Sequence, residues 1–275
     1  MNKFIYRDFT RKALDEAYDN TNAVSNSAEI LQGFETRSEI LSKEYRDTMD
    51  ISYGIFPREK FDYFAGEKGK GIFVFIHGGY WQMRNKNTFR FLAKGPLSQG
   101  FHVASIGYTL APDATLTQIV DETKVALHEV CRYAKKMGAD TQNVIVSGWS
   151  AGAHLASLLL NENCVSSALL ISGIYNLEPI SKCYLNDALN LSSDEILKLS
   201  PIKIPQVKKS IAIVVGENEL SELVRQSFEF AKLRTDEKIS GLFYLVPNAN
   251  HFTILHELEN PEGKLSQILS LLKRS

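Results

Sequence analysis

Ser150 stands at the centre of Gly148-Trp149-Ser150-Ala151-Gly152, directly after the apolar run Asn143-Val144-Ile145-Val146-Ser147 and directly before Ala153-His154-Leu155-Ala156. The pattern reads as a strand, a sharp turn and a helix, with a hydroxyl at the apex. Such a turn is a nucleophile elbow. Its serine is held exposed on a strained backbone, and glycine stands two residues to either side because strand and helix pass too closely there for a side chain. The chemistry this permits is attack on a carbonyl carbon. A serine hydroxyl is weak at neutral pH, so a base must take its proton and a carboxylate must hold the base.

Six histidines are available. In hydrolases with this elbow the acid and then the histidine follow the serine in the chain. His77, His102 and His128 precede Ser150, and His154 falls on the elbow helix, which leaves His251 and His256. His251 lies in Pro247-Asn248-Ala249-Asn250-His251-Phe252, a turn-rich loop beyond the final strand, and is the expected base. His256, a turn further on in an amphipathic run, reads as a partly exposed structural residue. The acid should follow the strand Ile211 to Val215, where the loop is Gly216-Glu217-Asn218-Glu219-Leu220-Ser221-Glu222. Glu219 is the expected acid, Glu217 its competitor, and Glu222 a charge favoured at a helix start. The oxyanion of a tetrahedral intermediate needs fixed N–H donors. His77-Gly78-Gly79-Tyr80-Trp81, a glycine-rich loop after an apolar strand, offers Gly78 or Gly79, and Ala151 follows the nucleophile.

These residues need a scaffold. Short apolar runs alternate with longer amphipathic ones. After a polar, helical N-terminal stretch to about Asp47, strands are expected at 51–55, 58–65, 71–76, 101–108, 143–147, 168–172, 211–215 and 242–246. Helices are expected at 88–98 and 116–137, after the elbow, at about 220–233 and after Pro261. The order implies an α/β fold, a mostly parallel sheet with helices on both faces. The stretch from about 175 to 206 is too long for an ordinary connection and reads as a small cap inserted into a single domain spanning 1–275.

Bulk properties exclude other classes. The 275 residues are 44% hydrophobic, enough for a sizeable core. Lys and Arg number 31 against 32 Asp and Glu, a net charge of -1 that argues against nucleic-acid or anionic-membrane partners. There is no signal-like N-terminus and no run of 18 apolar residues, so a soluble, cytoplasmic protein acting on a small molecule is expected. Three cysteines without C-x-x-C spacing suggest neither disulfides nor zinc. No cofactor or metal is called for, and a homodimer is compatible with the composition.

The H-G-G-x-W segment at 77–81, taken with the elbow through His154, resembles the kynurenine formamidases (arylformamidases), an α/β-hydrolase family. Ser172-Gly173-Ile174-Tyr175-Asn176-Leu177-Glu178-Pro179, Arg225-Gln226-Ser227 and an early Tyr18-Asp19-Asn20 with Ala23-Val24 extend the resemblance over nearly the whole chain. It implies a metal-free serine hydrolase that cleaves N-formyl-L-kynurenine to formate and L-kynurenine through a formyl-serine. Trp149, Asn176 and Glu219 depart from the family, whose members often carry histidine, aspartate and aspartate there. Tyr80, Trp81, Trp149 and Tyr175 are expected around the substrate, although Tyr80, Trp81 and Tyr175 could equally be core. The rival readings are a carboxylesterase for short acyl or aryl esters and a catalytically silent ligand-binding protein of the same fold.

Overall fold

The structure, a computed structural model, describes residues 3–272. Its eight strands form one sheet in the order β1-β2-β4-β3-β5-β6-β7-β8. They are β1 (Ile51–Ser52), β2 (Lys60–Phe64), β3 (Ile72–Ile76), β4 (His102–Ile106), β5 (Val144–Trp149), β6 (Val165–Ile171), β7 (Ser210–Gly216) and β8 (Gly241–Val246). β1, β2 and β4 pair antiparallel, and every pairing from β4 to β8 is parallel. The fold class is the expected one, with β5, which carries the elbow, between β3 and β6.

β3 is Ile-Phe-Val-Phe-Ile and wholly buried because both faces of the sheet are covered. Ile72, Val74 and Ile76 join one core cluster, with Val144 and Val146 of β5 and the apolar side of α5 (Leu116–Lys136). Phe73 and Phe75 point to the other cluster, with Ile145, Phe34 of α3 (Ser27–Glu44) and Leu265, Ile268 and Leu269 of α11 (Lys264–Leu271). The alternation of side chains along a strand thus feeds two cores from one apolar run.

The opening strands are shorter than expected. β1 stops at Ser52 because the chain turns back: Tyr53 N–H donates to the Glu59 carbonyl, and Glu59 Oε2 accepts from Phe56 N–H at 2.7 Å. The polar N-terminal stretch is three helices, α1 (Arg11–Glu16), α2 (Asn20–Ala23) and α3; α4 (Lys94–Ser98) precedes β4, and α10 (His256–Glu259) precedes α11. The segment after β6 holds α7 (Asn186–Leu189), α8 (Ser193–Lys198) and two short 3-10 turns. It packs into the core through Leu177, Ile180, Leu185 and Leu189. Among the described residues no helix is long and apolar enough to cross a membrane.

Candidate active site

Residues that can do chemistry gather at the carboxyl ends of β3, β5, β6, β7 and β8. Ser150 has φ 58° and ψ −122°, a conformation that L residues rarely adopt and that surrounding structure must enforce. Its N–H donates to the Ile171 carbonyl at 2.8 Å, and α6 (Ala151–Leu158) begins at the next residue. The helix crosses so close to β3 that a Cβ on Gly152 would lie 2.0 Å from the Ile76 carbonyl oxygen. Ala151, first in the helix, has one of the first-turn amides with no intrahelical acceptor. A Cβ on Gly78 would lie 3.0 Å from Ser150 Cβ, which places the glycine loop directly beside this serine. Gly79 has φ +111°. Two amides, from Met83 and Gln82, converge on its carbonyl and fold residues 79–83 into a tight turn.

His251 is 4% exposed, and its Nδ1 lies 2.6 Å from Glu219 Oε2. A carboxylate can only accept, so Nδ1 carries the proton and Nε2 is left as a base. Glu219 is held further by Gly216 N–H at 2.8 Å and Ser172 Oγ at 2.5 Å, both on Oε1. Glu217 instead turns outward and accepts from Asn248 N–H at 3.0 Å. Glu222 does start α9 (Ser221–Asp236), but it is buried and paired, accepting from Tyr18 Oη at 3.1 Å and bridged to Arg225 at 2.6 Å. His256 is exposed and meets the Phe34 ring edge-on at 5.7 Å.

Ser172 went unassigned as a site residue in the sequence, although its position signals the role: like Ser150 it directly follows a parallel strand, and its φ is 53°. Trp149 supports the histidine, its indole N–H donating to the His251 carbonyl at 2.7 Å with ring centroids 4.7 Å apart.

Ser150 and His251 line one cleft of about 20 Å³ together with Gly79, Tyr80, Met83, Arg84, Trp149, Phe252 and, from α2, Asn20 and Thr21. Two of the four expected substrate residues, Tyr80 and Trp149, therefore line it. Trp81 and Tyr175 do not. Trp81 is fully buried edge-on against His154, and Tyr175 stacks on Phe230 at 4.4 Å, so both are core. Asn20 and Thr21 bring the N-terminal segment over the serine. A larger groove of about 410 Å³, lined by Arg37, Ile40, Leu41 and Tyr45 among others, contains none of these residues.

Buried histidines frame the site. His77 Nδ1 bonds the Gly78 carbonyl at 2.7 Å, and burial depresses its pKa to about 3. His154 Nε2 bonds the Leu199 carbonyl at 2.7 Å, and burial depresses its pKa to about 4. Both are neutral near pH 7 and tie the glycine loop and the elbow helix in place.

The BD-FAE family model matches residues 64–178. Kynurenine formamidases of Danio rerio and Salmo salar are 28% and 29% identical to this chain over 238 and 239 residues, in each case 80% of this chain and 80% of the relative. Among solved structures, a candidate thioesterase of Silicibacter sp. TM1040 has a TM-score of 0.85 at 26% identity, covering 94% of this chain and 98% of that one. An esterase of Pyrobaculum calidifontis has a TM-score of 0.69 at 18% identity, covering 98% and 94%, a likeness of fold alone. Matched in sequence along most of its length by kynurenine formamidases and in fold by esterases, this chain is a kynurenine formamidase-like α/β-hydrolase and, by class, a hydrolytic enzyme.

Proposed function

We propose that the protein hydrolyses N-formyl-L-kynurenine to formate and L-kynurenine, with Ser150, His251 and Glu219 as the catalytic triad. Ser150 Oγ attacks the formyl carbon while His251 Nε2 takes its proton. Glu219 keeps the imidazole in the required tautomer and stabilises the imidazolium. The amides of Gly78 or Gly79 and of Ala151 hold the oxyanion. His251 then protonates the departing arylamine nitrogen, releasing L-kynurenine. Water, deprotonated by the same histidine, attacks the formyl-serine and releases formate. An arylamine leaves more readily than an alkylamine because its lone pair is delocalised into the ring. The segment 175–206 serves as a cap that braces this edge through its bonds to His154, Gln82 and Gln226.

The observation that carries the reading is the meeting of Ser150 and His251 in one cleft, with Glu219 on the far nitrogen of the imidazole and the glycine loop beside the serine.

Initial rates on N-formyl-L-kynurenine beside p-nitrophenyl acetate test the proposal. A higher kcat/KM for the formamide is expected, because binding of the remote end orients the formyl group. Ser150→Ala should lose at least about a thousandfold in turnover and should not react with a fluorophosphonate probe that labels the wild type. Ready turnover of the acetate with no kynurenine formed would replace the formamidase reading by the carboxylesterase one.

A further inference from the structure

Among the described residues, two polar groups at the cleft lack side-chain partners. Arg84 lines it with Ser150 and His251, and its Cγ is 2.8 Å from where a Cβ on Gly79 would stand. Among the described residues its guanidinium forms no ion pair, and Glu35 is the carboxylate whose field reaches it. Partial burial lowers its pKa, so the cation is already partly stripped of water. Three neighbouring cations are engaged instead: Lys86 by Asp50 and Asp62, Arg90 by Asp62, and Arg58 by the carbonyls of Tyr108 and Arg84. The Arg84 backbone is fixed in a left-handed turn, with φ 73° and its carbonyl held by Arg58 Nη2 at 2.5 Å.

The second group is Asn20 Oδ1. Asn20 is 4% exposed and lines the same cleft, and Oδ1 has no hydrogen-bond partner among the described residues. Its orientation is dictated by a relay. Tyr80 Oη donates to the Tyr18 carbonyl at 2.7 Å, so it can only accept from Asn20, which must present Nδ2 at 2.6 Å. The amide oxygen is thereby turned away from the tyrosine and left unpaired. A buried acceptor without a donor is costly, and a ligand donor would relieve it.

A partly desolvated cation and an orphaned acceptor, both lining the cleft of Ser150 and His251, complement a leaving group that bears an anion and a cation of its own. We infer that Arg84 and Asn20 read the α-amino-acid end of the substrate, the guanidinium donating to the α-carboxylate and Asn20 Oδ1 accepting from the α-ammonium. This specificity rests on the formamidase reading above.

The test compares three formanilides: N-formyl-L-kynurenine, its deamino acid, which keeps only the carboxylate, and 2′-formamidoacetophenone, which has neither charge. Arg84→Ala should lower the kcat/KM ratio of formylkynurenine to formamidoacetophenone by about tenfold or more, chiefly through KM, and Arg84→Lys should recover part of it. Asn20→Ala should lower the ratio of formylkynurenine to the deamino acid. Turnover of formamidoacetophenone reports whether each variant has a folded site, and Arg84→Gln, which keeps the stem and loses the charge, serves if the alanine variant does not fold. Equal losses on charged and uncharged substrates, or an unchanged ratio, would overturn the inference while wild-type turnover of formylkynurenine leaves the formamidase reading intact. Failure of the wild type to cleave formylkynurenine would remove both.

Discussion

Glu219 is one methylene longer than the aspartate common at this place, and the extra reach is used. Oε2 meets His251, while Oε1 is gripped by Gly216 N–H and Ser172 Oγ. Removing its charge should therefore be severe: Glu219→Gln is expected to lower kcat by roughly a thousandfold, since the amide would favour the wrong imidazole tautomer. Ser172→Ala removes one charge-assisted bond from the far oxygen and loosens the carboxylate without abolishing it, so a loss of about tenfold in kcat with little change in KM is expected. Glu217→Gln, altered on the outward side of the loop, should change kcat by less than about twofold. Steady-state kinetics on one substrate ranks the three, and a greater loss in Glu217→Gln than in Glu219→Gln would move the acid.

Among the elements, the elbow and α3 make opposite demands on glycine. A Cβ on Gly152 would meet two backbone carbonyls, Ile76 at 2.0 Å and His77 at 2.6 Å, so β3 and α6 would have to part. Gly152→Ala should destabilise by about 3 kcal/mol or more, as overpacking against backbone that cannot yield. Gly33 lies in the interior of α3, where a Cβ would meet nothing nearer than Arg37 Nη1 at 3.3 Å, the end of a flexible side chain. Gly33→Ala should stabilise by roughly 0.5–1 kcal/mol through helix propensity alone. Urea unfolding of the two variants beside wild type checks both signs, and a neutral Gly152→Ala would mean that α6 does not press on β3 as described.

For the molecule as a whole, acid should unfold it partly through histidines that cannot take up a proton in place. His154 and His77 titrate at about 4 and about 3 in the folded protein, below the 6.5 of a free imidazole. Between those values the unfolded chain binds more protons than the folded one, so stability rises with pH. Their contribution is complete above about pH 6.5 and is lost as pH falls from there toward 4, at up to about 1.4 kcal/mol per pH unit for each group. His154→Gln can still donate to the Leu199 carbonyl but binds no proton. Its unfolding free energy should fall less steeply between pH 7 and 5 than that of wild type, and an unchanged slope would remove His154 from the account.

What the sequence determined by itself was whatever is local. The elbow, the H-G-G loop and the alternation of apolar runs each span a few residues, and their backbone demands can be read from glycine spacing and side-chain period without knowing the neighbours. The class of the fold and the proposal of Ser150 as nucleophile follow from that. Tertiary structure decided every matter that depends on which way a side chain turns when elements far apart in the chain meet. Glu217 and Glu219 lie two residues apart in one loop, yet only Glu219 faces His251. Trp81 and Tyr175 carry rings as suitable as those of Tyr80 and Trp149, yet their sites had already been filled by packing against His154 and Phe230. Asn20, Ser172 and Arg84 carry no motif at all. Each reaches the catalytic edge only because the chain closes over it, bringing partners 47 positions apart in the case of Ser172 and Glu219 and 60 in that of Asn20 and Tyr80. No local signal encodes such a meeting, because the free energy that secures it comes from burial of the whole sheet.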